Sequence, residues 1–138
     1  MDVLGVKTIQ QLVNLLGIPK QDLIIPCLIC SKFLNQADIQ NFEGCRFSLV
    51  WRVGGVHGIC WFCARITALL ERVNFYQGNC TADDYFAENG EHVYCVHVRC
   101  FICLAKLTFQ EIDCMVEAGQ RFHIVRGIVR GFCAACNQ

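Results

Sequence analysis

The sequence predicts a small α/β fold of the α+β kind, in which two duplicated four-cysteine modules with short antiparallel sheets are joined by a linker helix. First, eight of the twelve cysteines form four Cys-x-x-Cys pairs. Second, residues 31–59 separate the first two pairs and residues 104–132 the last two, which is 29 residues each time. Third, apolar residues recur at helical spacing between the two sets. We therefore expect two copies of one module.

The cysteine spacing predicts two metal sites of four thiolates each. Two thiolates two residues apart can bind one ion from a tight turn, here called a knuckle, and a second knuckle completes the closed tetrahedral site of structural zinc. Iron in a four-thiolate site has the same ligands, so the spacing leaves it open. The expected ligands of two structural zinc ions are Cys27, Cys30, Cys60 and Cys63 in the first module and Cys100, Cys103, Cys133 and Cys136 in the second.

Disulfide scaffolds and redox pairs explain the pattern less well. Disulfide scaffolds are typical of short secreted chains, and residues 1–7 lack the basic start and apolar run of a signal peptide. A thioredoxin-like pair explains one Cys-x-x-Cys and not four in register. Modules of about 40 residues seldom bury enough apolar surface to fold alone. Zinc contributes on the order of 10–16 kcal/mol of apparent folding free energy, so the fold is expected to be zinc-stabilised.

The composition limits the functional classes. Hydrophobic residues make up 54% of the 138 residues and the mean hydropathy is +0.38. No uninterrupted apolar run of about 18 residues exists, so no membrane association is expected. A small chain of this kind is expected to expose an apolar groove that binds partners. The formal net charge is zero and the pI is about 6.9, so nucleic-acid binding is expected to be weak at most.

Residues 1–26 are predicted to form an N-terminal helical arm. Thr8-Ile9-Gln10-Gln11 matches a capping box, and the helix that it opens is expected to end at Gly17. A second, short helix is predicted for residues 19–25. Leu12-Val13-Asn14-Leu15-Leu16 is itself a Leu-x-x-Leu-Leu string. We interpret it as part of an amphipathic helix, and the sharper hypothesis is that it docks in another copy and gives weak self-association.

A shift of 73 residues superposes the two modules, which span residues 27–63 and 100–136. Asn35 and Thr108 then coincide as helix N-caps, each followed three residues later by an acid. Residues 46–53 and 121–126 are predicted to be strands, each followed by glycine. Each module is therefore expected to run knuckle, helix, strand, turn, strand, knuckle.

Residues 64–99 form the predicted connection between the modules. A helix is predicted from Trp61 to about Phe75, and Gly78-Asn79 is expected to end it. An acidic segment follows, and residues 92–99 are predicted to be a strand that leads into the third knuckle. A cleft lined by both modules and the linker helix is the expected site for a ligand peptide.

The cysteine spacing resembles that of the papillomavirus early protein six oncoproteins. Outside the ligands, the resemblance is carried by Asp22-Leu23-Ile24-Ile25-Pro26-Cys27, Val98-Arg99-Cys100 and Arg121-Phe122-His123-Ile124-Val125-Arg126-Gly127. It implies a viral adaptor without catalytic activity that holds an acidic Leu-x-x-Leu-Leu helix of a host protein in a cleft between two zinc modules. It also implies that the chain is found in the host nucleus and host cytoplasm.

The resemblance implies two kinds of host partner. Some members capture a ubiquitin ligase and redirect it, which blocks apoptosis and innate immunity. Others capture a Mastermind-like coactivator and repress Notch-dependent transcription and differentiation. Ile128 stands where some ligase-binding members carry arginine, which favours the Mastermind-type partner. The chain ends at Asn137-Gln138 without a Ser/Thr-x-Val/Leu tail, so binding to PDZ domains is not expected.

When the peptide-binding residues of the family are transferred onto this sequence one by one, the resemblance implies a set of groove residues from the two modules and the linker helix. They are Ile29, Phe47, Val50 and Ile59 in the first module, Ala64, Thr67, Ala68 and Glu71 on the helix, and Arg99, Leu104, Val125 and Arg126 near or in the second module. Leucines at helical spacing need an apolar trough. Arginine suits an acidic peptide because its planar guanidinium binds carboxylates in a bidentate way.

The alternative function is a zinc-finger transcriptional regulator that contacts DNA directly. Zero net charge favours the adaptor over that alternative. An enzyme is not expected, because sites with four cysteine ligands leave no open coordination position.

Overall fold

The structure is a computed structural model that describes residues 5–137. Residues 1–4 of the predicted arm, and Gln138, lie outside the described residues. The chain divides into two compact units, Met1–Ala64 and Arg65–Gln138, and each contains one of the four-cysteine sets. Both combine short helices with antiparallel strands, so the predicted α+β class is confirmed. Among the described helices, none is long and apolar enough to cross a membrane.

The first unit contains the predicted capped helix. Its elements are α1 (Ile9–Leu16), a 3-10 turn (Lys20–Asp22), α2 (Gln36–Gly44), β1 (Val50–Arg52) and β2 (Gly55–His57). The backbone N–H of Gln11 donates to the Thr8 hydroxyl at 3.1 Å, and the Gln11 side chain accepts the N–H of Thr8 at 3.1 Å. Gly17 ends α1 in the left-handed region at φ 68°. The predicted capping box and helix end are therefore confirmed.

The helix predicted for residues 19–25 is wrong beyond the single 3-10 turn. Pro19 and Leu23, on either side of that turn, both have extended backbone. Leu23 and Ile25 are buried, whereas Ile24 between them is exposed. This alternation has the period of an extended segment. Ile24 and Ile25 are β-branched and Ile25 precedes Pro26, so local preference and burial both favour the extended conformation.

The strand predicted for residues 46–53 is shorter than expected. Arg46 lies in the left-handed region at φ 56°, and only residues 50–52 pair with β2 in an antiparallel hairpin. The N–H of Phe47 instead donates to the carbonyl of Phe42 at 3.1 Å, which closes the end of α2. The Phe42 and Phe47 rings meet edge to face at 5.7 Å, so this segment belongs to the core around α2.

The second unit is built on a four-stranded sheet. Helix α3 (Trp61–Phe75) begins in the first unit and continues into the second, where the elements are β3 (Tyr76–Cys80), α4 (Ala82–Asn89), a 3-10 turn (Val93–Cys95), β4 (Arg99–Cys100), α5 (Phe109–Glu117), β5 (Phe122–Val125) and β6 (Ile128–Gly131). The strand order is β3-β5-β6-β4. Strand β4 runs parallel to β6, and the other neighbours are antiparallel. The predicted helix α3 and the predicted strand β5 are confirmed.

The connection before the third knuckle is more ordered than the sequence predicts. Helix α3 ends at Phe75, and Gly78-Asn79 lies inside β3, where Asn79 pairs with His123 of β5, rather than in a turn that ends the helix. The acidic segment forms α4, which Thr81 caps through its hydroxyl and Gly90 ends at φ 72°. The strand predicted for residues 92–99 is wrong except at its last residue. Most of that segment is occupied by the 3-10 turn and the irregular chain after it.

The duplication extends from the sequence to the packing of side chains. A Cβ atom added to Gly58 would lie 3.1–3.3 Å from three apolar side chains, those of Leu34, Phe42 and Ile25. A Cβ atom added to Gly131 would lie 2.8–3.3 Å from the shift-related side chains of Met115, Leu107 and Val98. Each glycine therefore allows the backbone just before the last two cysteine ligands of its unit to pack closely against the core.

One acidic side chain in each unit ties two backbone segments together. The Asp38 carboxylate accepts the N–H of the α2 N-cap at 3.1 Å and that of Trp61 at 3.1 Å. The Glu111 carboxylate accepts the N–H of the α5 N-cap at 2.8 Å and that of Ala134 at 2.6 Å. Trp61 and Ala134 are related by the same 73-residue shift. The acid of each capping box thus also anchors the segment that carries the last two ligands.

Gly131→Ala is expected to lower the free energy of unfolding of the zinc-loaded chain by about 1–3 kcal/mol, because the added methyl group overpacks the core. Gly44→Ala, at the end of α2 with no atom within 4 Å of the added Cβ, is the control and is expected to change it by less than about 0.5 kcal/mol. Urea denaturation monitored by circular dichroism measures both. Equal effects of the two substitutions would contradict this account of the packing.

Candidate metal centres and binding surface

The first ligand pair of each set lies on a knuckle whose backbone is fixed by hydrogen bonds. The N–H of Cys27 donates to Lys32 O at 2.7 Å, and the N–H of Ser31 donates to Cys27 O at 3.0 Å. The second unit repeats these bonds at Cys100 and Leu104, also at 2.7 and 3.0 Å. Ser31 and Leu104 lie in the left-handed region at φ 68° and 66°. Both knuckles are therefore the same tight turn.

The second ligand pair comes from the start of α3 in the first unit and from the turn after β6 in the second. The four Sγ atoms of each set lie within 4.8 Å of one another. The Sγ atoms of Cys30 and Cys60 are 3.9 Å apart, and those of Cys103 and Cys133 are 3.7 Å apart. Tetrahedral zinc with Zn–S bonds of about 2.3 Å places its sulfurs about 3.8 Å apart. Both sets therefore fit a structural zinc ion, as predicted.

The pKa shifts of the thiols also favour a bound cation. At Cys27, burial opposes the thiolate, but nearby backbone N–H groups outweigh it and the pKa falls to about 6. At Cys100, the hydrogen bond from the Cys103 thiol lowers the pKa to about 4. Burial, together with the neighbouring sulfurs, raises the pKa of Cys136 to about 11 and that of Cys63 further still. One thiolate therefore forms readily in each set, and complete ionisation needs a bound dication.

The predicted groove residues of the first unit differ in their exposure. Ile29, on the first knuckle, is 58% exposed. Phe47, Val50 and Ile59 are half-buried, and Phe47 and Ile59 pack against the core of the unit. Ala64 is buried, so its side chain offers almost no contact area. Their joint role in a peptide groove stays a prediction.

The predicted groove residues of the second unit fall into three exposure classes, namely buried Ala68 and Val125, half-buried Thr67, Glu71, Arg99 and Leu104, and exposed Arg126. The structure brings Arg99 and Leu104 together, because Nη1 of Arg99 donates to Leu104 O at 3.1 Å. The buried pair belongs to the interior, and the other five residues supply surface.

Arg126 is an exposed cation with a fixed backbone. It lies in the left-handed region at φ 56°, and its N–H donates to Phe75 O, at the end of α3, at 3.0 Å. The central carbon of its guanidinium lies 4.5 Å from the centroid of the Phe75 ring, within the range of a cation–π contact. This contact orders the side chain, so less conformational entropy is lost when Arg126 binds a ligand.

Two arginines lie side by side on the sheet. The register pairs Arg99 of β4 with Arg130 of β6, and Arg130 with His123 of β5, so the three side chains project from the same face. Nη2 of Arg130 donates to the Glu71 carboxylate on α3 at 2.8 Å. Burial lowers the pKa of His123, which disfavours the charged form of this imidazole.

Arg130 is a site residue that the sequence does not predict. Its side chain is 7% exposed, and within residues 5–137 its Nε has no hydrogen-bond partner. A single arginine in a strand gives the same sequence signal as a solvated surface charge. Arg130 is buried because β6 is an inner strand of the sheet. Its ion pair also gives Glu71, predicted only as a peptide contact, a structural role within the second unit.

Glu71→Gln is expected to lower the free energy of unfolding by about 2 kcal/mol, because it leaves the Arg130 guanidinium buried without its counter-charge. Glu43→Gln is the matched control, since Glu43 pairs with Lys20 where both side chains are more exposed, and it is expected to change stability by at most about 0.5 kcal/mol. The double change Glu71→Met/Arg130→Met should recover much of the loss. Urea denaturation measures all three. A Glu71→Gln protein as stable as the Glu43→Gln protein would contradict this role.

Two closed tetrathiolate sites on duplicated α+β units define a small protein stabilised by two structural zinc ions. A sequence model of the family described as Early Protein (E6) matches residues 27–136. Protein E6 of Mastomys natalensis papillomavirus (isolate African multimammate rat) is 36% identical over 131 residues, which cover 94% of this chain and 96% of that protein. Protein E6 of Human papillomavirus type 5b is 36% identical over 130 residues, 94% of this chain and 82% of that protein. The chain belongs to the papillomavirus E6 family of viral oncoproteins, which confirms the resemblance.

Proposed function

We propose that the chain is a non-enzymatic viral adaptor that captures acidic Leu-x-x-Leu-Leu helices of host proteins. The observation that carries the proposal is the group of guanidinium side chains in the second unit. Arg99 is half-buried and Arg126 is exposed over the Phe75 ring, whereas Arg130, the strand neighbour of Arg99, is buried in its ion pair with Glu71 and only supports that surface. Arginine forms charge-assisted, bidentate hydrogen bonds with carboxylates, so this surface suits an acidic ligand.

The proposed roles follow from exposure and chemistry. Arg99 and Arg126 would bind carboxylates or terminal carbonyls of the peptide helix. Leu104 would contact its leucines, with Ile29 as the exposed apolar contact of the first unit. Glu71 would orient Arg130 rather than bind the peptide directly, because its carboxylate is engaged by that guanidinium. The prediction that residues of both units line one cleft is part of this proposal and stays a prediction.

The partner that we favour is a Mastermind-like coactivator, with a ubiquitin ligase as the alternative. Ile128 is 46% exposed, so it presents an apolar side chain where some ligase-binding members carry arginine. The proposed consequences are repression of Notch-dependent transcription and differentiation with the first partner, and a block of apoptosis and innate immunity with the second. The proposed locations are the host nucleus and host cytoplasm.

Self-association through the Leu-x-x-Leu-Leu string of α1 receives no support from the structure. Leu12, the first leucine of the string, is 1% exposed and belongs to the core of the first unit, whereas Leu16 is 51% exposed. A groove in another copy could receive all three leucines only if α1 left its own core. The string is therefore better explained as the packed face of an amphipathic helix.

Arg99→Ala and Arg126→Ala are each expected to weaken binding of a synthetic acidic Leu-x-x-Leu-Leu peptide by about tenfold, because each removes charge-assisted hydrogen bonds of about 1.5 kcal/mol. Arg52→Ala, an exposed arginine on β1, is the control and is expected to bind as the wild type does. Fluorescence anisotropy with the zinc-loaded full chain measures the dissociation constants.

The same variants identify the host partner in a pull-down from keratinocyte extract. Recovery of a Mastermind-like protein by the wild type, and its loss with Arg99→Ala/Arg126→Ala, would support the proposal. Recovery of a ubiquitin ligase instead would select the alternative partner. Unchanged peptide affinity in both arginine variants, or equal binding of a peptide whose leucines are replaced by alanine, would contradict the proposed site.

A further inference from the structure

Although the net charge of the chain is zero, two of its segments contain acidic residues and no basic ones. Residues 73–98 contain Asp83, Asp84, Glu88 and Glu91 and no lysine or arginine. Residues 107–120 contain Glu111, Asp113 and Glu117 and again no lysine or arginine. Together they hold seven of the twelve acidic residues and none of the twelve basic ones. The acidic residues are therefore concentrated on α4, α5 and the chain beside them.

The fold brings these two segments together within the second unit. Both α4 and α5 contact the 3-10 turn Val93–Cys95. Four aromatic rings run across this junction from α4 to α5, namely Phe86, His92, Tyr94 and Phe109. Their successive centroids are 6.2, 4.7 and 5.0 Å apart, and the His92 and Tyr94 rings are stacked with only 7° between their planes. The row is continuous.

The two ends of the row are open to solvent. Phe86 is 52% exposed and Phe109 is 64% exposed. The middle is fixed, because the Tyr94 hydroxyl donates to the Asp113 carboxylate at 2.6 Å. Asp113 follows Phe109 by four residues on α5 and Glu117 follows Asp113 by four, so the ring and both carboxylates share one side of that helix. Asp83 precedes Phe86 by three residues on α4 and shares a side with it in the same way.

We propose that this acidic aromatic face, formed by the row Phe86, His92, Tyr94 and Phe109 with the carboxylates of Asp83, Asp113 and Glu117, docks an arginine-rich segment of a partner protein. Exposed aromatic rings attract cations through their faces, and the guanidinium group also stacks on them. The neighbouring carboxylates add Coulomb attraction and accept hydrogen bonds. Charge complementarity thus selects a basic peptide, and it repels nucleic acid.

This face is distinct from the arginine surface proposed for Leu-x-x-Leu-Leu helices. The two share no residue, and their charges are opposite. The docking of a basic segment therefore does not depend on the proposed adaptor site. Arginine is favoured over lysine, because the planar guanidinium stacks on an aromatic ring whereas the ammonium group is a strongly hydrated point charge.

The test is a titration of the zinc-loaded, ¹⁵N-labelled full chain with a synthetic peptide of Arg-Gly-Ser repeats. A peptide of the same length with citrulline for arginine is the neutral control, and a Lys-Gly-Ser peptide tests the preference for guanidinium. We expect the amide shifts caused by the arginine peptide to concentrate in residues 82–95 and 108–117. The lysine peptide should bind about threefold more weakly or worse, and the citrulline peptide should not bind detectably.

Single substitutions separate the aromatic from the ionic contribution. Phe86→Ala and Phe109→Ala should each weaken binding of the arginine peptide by about three- to tenfold. Phe33→Ala is the matched control, since Phe33 is also 64% exposed but lies in the first unit, and it should bind as the wild type does. Asp83→Asn/Glu117→Gln leaves every ring in place and should weaken binding by a similar factor, with a shallower dependence on salt.

Several results would overturn the proposal. They are the absence of binding, shifts that map outside the two ranges, equal affinity for the citrulline peptide, and unchanged affinity in both phenylalanine variants. A concentration-dependent dimer in analytical ultracentrifugation that Phe109→Ala converts to monomer, without binding of the arginine peptide, would instead make this face a contact between copies.

Discussion

Four thiolates that converge on one ion hold each unit together. The first two come from a knuckle before the helix, and the last two follow the final strand, so the ion closes a loop of about 30 residues and restricts the unfolded chain accordingly. Other contacts depend on that closure. Gly58 and Gly131 let the backbone beside the second knuckle press against the core, while Asp38 and Glu111 tie the helix starts to the segments that carry the last ligands. These contacts recur at the 73-residue shift, so the two units repeat a packing arrangement as well as a ligand set.

The second unit concentrates most of its acidic residues in two segments that contain no lysine or arginine. Arg99 and Arg130 lie side by side on the sheet, whereas the acidic residues of the unit other than Glu71 lie on or beside α4 and α5. The net charge of zero is therefore a sum over segments of different charge, and a partner meets the local charge rather than the sum. This arrangement favours two classes of ligand, an acidic helix at the arginines and a basic segment at the aromatic row.

The sequence predicts best those features that depend on local chemistry. The ligand sets, the three capping boxes and the duplication are all visible as residue types at fixed spacing. The sequence does not predict strand β3, because it follows α3 without a break and is defined by pairing with the distant β5. The strand predicted for residues 92–99 does not form except at its last residue, because its buried residues, Val93 and Val98, are five positions apart and do not follow the two-residue period of a strand. The sequence does not predict the role of Arg130, because burial on an inner strand has no sequence signature, and the same limit applies to the exposure of Ala64, Ala68 and Val125.

The dependence of both units on zinc is tested most directly by titrating zinc into the metal-free full chain and recording amide spectra at each step. We predict that the metal-free chain lacks dispersed signals, and that the signals of each unit return as its own site fills, up to two ions per chain. Cys133→Ala should take up one ion and recover only the first unit, whereas Cys114→Ala, at an exposed cysteine outside both clusters, should take up two. Dispersed native signals without metal, or recovery of the second unit in Cys133→Ala, would contradict the account.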